Sequence, residues 1–378
     1  MIVESIELDH FRNYNELVMS FCDKTNILFG DNAQGKTNIL EAIYISGTTK
    51  SHRSSKDREI ITFGSNEGHI KLMVRKHDVP YRIDMHLKKS KSKGIAINGI
   101  PIKKASELFG LVNVVFFSPQ DLSIIQDGPA QRRRFIDMEL CQIDKYYLHN
   151  IVQYNKIITQ RNKLLKELSF HFDDALLATL DVWDMQMADY GNKIIKRREE
   201  FIKQMNEIIG SIHYRLSGER EKLSIIYEPN VRNGQFEQEI LANRDKDLKL
   251  KTTNAGPHRD DMGFYFSDVD IRIFGSQGQQ RTAALSLKLA EIELVNSMIH
   301  DSPILLLDDV MSELDSHRQN QLLDSIENIQ TIVTCTGLDE FVKHRMDIDR
   351  VYKITNGTAS LIDKEIFVNT LDSRSKDV

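Results

Sequence analysis

Apolar and polar positions change period twice along the chain. Up to about residue 120 they mark short strands separated by turns. Met1 to Leu8 alternates, Thr25 to Phe29 is a compact apolar run, and Ile70 to Leu87 holds two strand-like stretches around Pro80. Asn98-Gly99 between short apolar runs predicts a hairpin. From Leu148 the spacing turns helical, with Ile151, Ile158, Leu165 and Leu168 on one stripe. A second stripe follows through Leu180, Trp183, Met187, Tyr190, Ile194, Phe201, Met205, Ile208 and Ile212, with Arg197 filling one place. These steps of three and four describe a heptad-like seam, and a junction near Ser169 to Asp174 predicts an antiparallel helical arm. Strands return at Leu223 to Tyr227 and Gly263 to Phe266. A helix over Gln279 to Ile299 follows, then apolar strands at Ile304 to Leu307 and Thr331 to Thr334, and a polar tail beyond Ile366. The expected layout is an α/β head, residues 1–120 with 250–378, interrupted by a largely helical arm over 121–249.

Composition changes this picture little. Of 378 residues, 28% are charged and 40% hydrophobic, the balance of a soluble globular protein. The net charge of −5 supplies no global field for nucleic acid, so any such surface must be local. Cys22, Cys141 and Cys335 form no CxxC pair, which argues against a zinc site or disulfide framework. No apolar run approaches the ~20 residues of a membrane span. The start lacks the continuous apolar core of a signal peptide, and a cytoplasmic location is expected.

Candidate chemistry changes it more. Gly30-Asp31-Asn32-Ala33-Gln34-Gly35-Lys36-Thr37 fits the phosphate-loop pattern G-x-x-x-x-G-K-[ST], between an apolar strand and a helix opening at Asn38. There backbone N–H groups and a helix N-terminus face phosphate, Lys36 reaches the outer phosphates, and the Thr37 hydroxyl ligates Mg²⁺. Ile304 to Leu307 followed by Asp308-Asp309 supplies the second element, two acids at the end of a buried strand. Asp308 would hold Mg²⁺ through its water shell, and Asp309 would orient or deprotonate the attacking water. The expected ligands are therefore ATP and Mg²⁺.

Ser276-Gln277-Gly278-Gln279-Gln280, at the start of the predicted helix, resembles the signature loop of ABC-type ATPases. Ser312-Glu313-Leu314-Asp315 resembles their D-loop. In that class the signature loop caps the γ-phosphate held by the opposite subunit, so Ser276, Gly278 and Gln279 are expected to complete a second copy's site. The whole order resembles the RecF family of bacterial recombination mediators. The similarity runs through Leu8 to Tyr14, Gly30 to Glu41, Ser51-His52-Arg53, Phe117 to Leu122, Gly128-Pro129, Arg132 to Phe135, Gly256 to Asp261 and Gly275 to Thr282. The resemblance implies an ABC-type ATPase head of mixed sheets and helices. It also implies ATP-dependent homodimerisation on DNA at single/double-strand junctions, and cooperation with RecR, and through it RecO, in loading RecA. On the same basis Arg12 and Asn13 would approach the nucleotide phosphates, and Gln120 would stand at the Q-loop, touching Mg²⁺ and the attacking water. The family often carries an acid at the last position. His52 and Arg53 would reach nucleotide or DNA, or sit solvated; His258 and Arg259 would pin arm to head.

Asp309 stands where transporter ATPases carry a glutamate, and Cys335-Thr336 where they carry a histidine; both departures predict slow hydrolysis. Lys88, Lys89, Lys91, Lys93, Lys103 and Lys104 fall in a stretch without acids, and Arg132, Arg133 and Arg134 open the helical region. These residues are candidates for phosphate contacts on DNA, or for a solvated charged face. A DNA-tethering ATPase of the SMC kind and a transporter-type subunit are the competing readings. The short arm disfavours the first, and the arm together with the missing histidine the second.

Overall fold

The computed structural model describes residues 1–53, 56–171, 173–326, 328–337 and 348–362; the tail beyond Ile366 lies outside them. The chain forms two compact units, residues 1–121 with 291–378 and residues 122–290.

The first unit opens with β1 (Ile2–Phe11), β2 (Tyr14–Ser20) and β3 (Thr25–Phe29), followed by α1 (Lys36–Thr48). Then come β4 (Glu67–Lys76), β5 (Val79–Lys88), β6 (Gly94–Ile97), β7 (Ile100–Pro101) and β8 (Val114–Phe117). An antiparallel sheet has the order β2-β1-β4-β5-β6-β7. Its alternation is that of a half-buried sheet: Ile70, Leu72 and Val74 point into the core while His69, Lys71 and Arg75 do not. The hairpin at Asn98-Gly99 forms as expected, with φ of 52° and 80° at its two turn residues.

The second unit contains α2 (Leu122–Gln126), α3 (Pro129–Ile143), α4 (Lys145–Leu168), α5 (Asp174–Leu216), β9 (Leu223–Glu228), α6 (Phe236–Ala242) and α7 (Arg244–Leu250). After them come β10 (Asp261–Phe266), β11 (Val269–Asp270), α8 (Ile271–Phe274) and the first part of α9 (Gln277–Ile299). Asp144 caps α4 and Asp173 caps α5, each accepting backbone N–H bonds in the first turn. Along α5 the predicted seam is buried at Leu180, Met187, Ile194, Phe201, Met205 and Ile212, and the helix packs against α4 and β9. The expected return to the head near residue 250 is corrected: the chain rejoins the first unit only at Glu291. The reason is strand pairing. Among the described residues β9, β10 and β11 pair only with one another, as a three-stranded sheet, and β9 packs on α5.

The first unit is completed by β12 (Ile304–Asp308), α10 (Ser316–Ser325), β13 (Thr331–Cys335), β14 (Ile348–Thr355) and β15 (Thr358–Ile362). They build a second sheet of order β15-β14-β3-β13-β12-β8, parallel except for the edge strand β15. Its strands β12 and β8 are near-continuous apolar runs, as both-face burial demands, whereas β14 and β15 at the other edge are more polar. From Ile39 to Thr48, α1 is buried all round, within a core drawn from both sheets.

Candidate nucleotide-binding site

The site lies at the carboxyl ends of the parallel strands. β3 runs into a loop whose backbone turns left-handed at Gly30 (φ 153°), Ala33 (φ 63°) and Gly35 (φ 112°) before α1 begins. A Cβ on Gly30 would lie 2.3 Å from the Ile354 carbonyl oxygen, so no side chain fits there. The Lys36 ammonium donates to the carbonyls of Gly30 (2.6 Å) and Asp31 (2.9 Å), which holds it across the loop.

The loop is braced from outside. Asn13 Nδ2 donates to the Gln34 carbonyl at 2.9 Å, and Asn13 Oδ1 accepts from Asn38 Nδ2 at 2.8 Å. The buried Tyr14 hydroxyl donates to the Gly35 carbonyl at 3.0 Å, and the Asn356 N–H donates to Gln34 Oε1 at 2.7 Å. Asn13 thus sits beside the loop and holds its backbone. Arg12 is otherwise engaged. At φ 54° it turns its guanidinium onto Glu41 of α1, with Nε–Oε2 at 2.8 Å and Nη2–Oε1 at 2.6 Å, and donates to the Glu59 carbonyl. This corrects its expected place at the phosphates. Burial tends to raise the Glu41 carboxyl, but hydrogen bonds from Arg12 and Ser51 and the Arg12 charge outweigh it and hold the group below its ordinary range.

Sheet order brings in the second strand. β13 lies between β3 and β12, so Thr334 stands beside Asp308 in register. Asp308 Oδ1 accepts from Thr37 Oγ1 at 2.7 Å and from Thr334 Oγ1 at 2.8 Å, and Thr334 Oγ1 accepts the Asp309 N–H at 3.0 Å. Asp309 is left-handed (φ 55°), a conformation that a non-glycine residue holds only where its surroundings impose it. Burial raises its carboxyl above the usual aspartate range; Lys36 opposes this and Asp308 adds to it. A cleft of about 280 Å³ is lined by residues 32–38, Arg53, Asp308, Asp309 and Thr334. Thr37 hydroxyl and Asp308 carboxylate on one wall form the hard-oxygen donor set that suits Mg²⁺. Sequence reasoning missed Thr334; a threonine at the end of an apolar strand carries no signal without the strand order.

Other expected residues lie elsewhere. Gln120 is exposed, in a single turn after β8, and does not line the cleft. Arg53 does line it, donating to Asn38 Oδ1 at 3.2 Å, whereas His52 packs against Tyr44 and Phe116. In the second unit Ser276, Gly278 and Gln279 form the start of α9, and Ser276 and Gln279 cap each other. Arg132 is corrected as a DNA contact. It is 1% exposed, paired with Asp261 at 2.6 and 3.0 Å, and donates to the carbonyls of Ile124 and Asp127. Arg133 donates to the Asp260 carbonyl at 2.6 Å. Lys88 pairs with Glu67 and Lys93 with Asp57, whereas Lys89 and Lys91 are exposed and make no ion pair among the described residues. His258 bonds Tyr154 and the Thr253 carbonyl inside the second unit, and burial lowers its pKa to about 4.

The family described as RecF/RecN/SMC N terminal domain matches residues 2–360. The DNA replication and repair protein RecF of Lachnospira eligens is 61% identical over 357 residues, covering 94% of this chain and 98% of that protein. The chain belongs to the RecF family. A solved structure of the recombination mediator RecF with ATP, in the RecFOR pathway, superposes with a TM-score of 0.88 at 34% identity, over 96% of this chain and 97% of that one. The Smc head of Pyrococcus furiosus, at 16% identity and a TM-score of 0.57 over 99% of both chains, shares the fold. The mixed sheets and helical insertion expected of the RecF family are therefore present. Among the described residues no helix is long and apolar enough to cross a membrane.

Proposed function

We propose that the chain is an ATP-dependent recombination mediator that binds ATP with Mg²⁺ and hydrolyses it slowly. It dimerises with ATP on gapped or junction DNA and acts in the cytoplasm with RecR, and through it RecO, to load RecA. The observation that carries this reading is the convergence of the Gly30–Thr37 loop, Asp308, Asp309 and Thr334 on one cleft, in a chain 34% identical to an ATP-bound RecF.

Thr37 and Asp308 would hold Mg²⁺, which would supply charge neutralisation at the phosphates. Lys36 supplies a fixed cation at the loop. Asp309, whose carboxyl takes up a proton more readily than an ordinary aspartate, accepts the proton of the attacking water. Its carboxylate sits one methylene closer to the backbone than a glutamate's would, which suits a timer rather than a motor. Ser276, Gly278 and Gln279 complete the site of a second copy, with Ser276 offering its hydroxyl at a helix N-terminus. Lys89 and Lys91 contact DNA phosphates without reading sequence.

Sedimentation with ATP, with and without gapped DNA, tests this for the wild type, Lys36→Arg and Ser276→Arg. ATP should shift only the wild type to a dimer. ATP-driven dimerisation by Ser276→Arg would reject completion of the site by a second copy, and turnover of many ATP per second would reject the timer.

A further inference from the structure

We propose that Glu221 is a positioning residue of the signature turn, holding it through Gln279 and tying it to the base of the long arm helix. The proposal rests on the reading that this turn caps a second copy's nucleotide.

The turn between α8 and α9 is closed by two reciprocal bonds. The Gln279 N–H donates to Ser276 Oγ at 3.2 Å, and Gln279 Oε1 accepts the Ser276 N–H at 2.8 Å. The hydroxyl oxygen is thereby occupied and its proton is left for a ligand. All this depends on the Gln279 amide pointing its oxygen at Ser276. Its other end is what enforces that: Nε2 donates to Glu221 Oε1 at 2.7 Å. A backbone N–H can only donate and a carboxylate can only accept, so one amide orientation satisfies both neighbours. Rotated by half a turn, the amide would set oxygen against carboxylate and nitrogen against N–H.

Glu221 is itself anchored. It lies in the connection from α5 to β9, where Gly218 (φ 68°) and Glu219 (φ 63°) turn left-handed and the Glu221 N–H donates to Ser217 Oγ at 3.2 Å. Its second oxygen lies 3.7 Å from His213 Nε2, in the last turn of α5, a neighbour rather than a hydrogen-bond partner. His213 is fully buried, and its Nδ1 lies 2.8 Å from Ser286 Oγ. Ser286 spends its proton on the Thr282 carbonyl, so Nδ1–H is the donor there. The first and third turns of α9 are thus both bonded to one short stretch at the foot of the arm. Nothing else among the described residues accepts from Gln279 Nε2.

The test reads ATP-driven dimerisation by sedimentation, and ATP affinity at concentrations where the protein is monomeric. Glu221→Ala should weaken dimerisation by about tenfold or more, the factor expected for a hydrogen bond to a charged group. ATP affinity of the monomer should not change. Glu221→Gln, which keeps an acceptor for Nε2, should stay within about threefold of wild type. Gln279→Glu keeps the acceptor for Ser276 but sets two carboxylates together, and should fail to dimerise. Combining it with Glu221→Gln restores a donor–acceptor pair with reversed polarity and should recover dimerisation, a result that loss of fold cannot produce. These last two variants decide the matter even where Glu221→Ala does not fold. Gln279→Glu dimerising like wild type, or a double variant no better than Gln279→Glu, overturns the proposal. Ser276→Arg, run alongside, separates the two ideas: dimerisation by it sinks the composite site, whereas its failure beside a normal Gln279→Glu sinks only the role of Glu221.

Discussion

Replacing Arg132 with alanine separates a buried strut from a DNA contact. Its guanidinium makes four hydrogen bonds, two to the Asp261 carboxylate and one each to the Ile124 and Asp127 carbonyls, at 1% exposure. The substitution removes both close guanidinium bonds to Asp261, at 17% side-chain exposure, and leaves it only the longer 3.9 Å pairing with Arg272, a loss of about 3–5 kcal/mol. With a urea dependence of about 2 kcal/mol per molar, the unfolding midpoint of the second unit should fall by roughly 1.5–2.5 M. Trp183, the chain's only tryptophan, packs partly buried beside Leu164, Leu165, Leu168 and Leu180 of that unit, so its fluorescence reports the transition. Arg132→Met with Asp261→Asn removes both charges and should recover much of the loss. Lys89→Gln with Lys91→Gln should leave the midpoint in place and lower the salt slope of duplex binding by about 1.8, the value for two lost phosphate contacts. An unshifted midpoint for Arg132→Ala together with a reduced salt slope would refute the argument.

Two further outcomes follow from the cleft and its support. Thr334→Val keeps shape but removes the donor to Asp308 and the acceptor for the Asp309 N–H, and should weaken Mg²⁺-dependent ATP binding by about tenfold; calorimetric titration showing no change would exclude Thr334 from the site. Glu41, held below its ordinary range by Arg12 and Ser51, contributes stability that is fully present above the unfolded carboxylate pKa of about 4.3 and is lost as pH falls through its lower folded value. Thermal melts of Glu41→Gln should therefore be less pH-dependent than wild type over that acid window, and parallel acid sensitivity in the two would count against the Arg12–Glu41 pairing.

The sequence by itself determined whatever depends on neighbours along the chain. The Gly30–Thr37 loop is legible because strand, glycine-permitted turn and helix start are consecutive, and the α5 seam because helical period fixes which residues share a face. Ser276 and Gln279 belong here too, since a capping pair spans one helical turn. The same local logic misjudged residues whose partners are distant. Arg12 and Arg132 read as cations for phosphate, yet their charges are met by Glu41 and by Asp261, which follow 29 and 129 positions later. Strand β10 read as part of the head until pairing assigned it to β9. Only the parallel order β3-β13-β12 sets Thr334 between the phosphate loop and Asp308. Only the fold brings Glu221 to Gln279, 58 positions away. Backbone conformation is a property of a few consecutive residues, whereas the compensation of a buried charge or an amide is decided by whichever segment the packed core delivers to it.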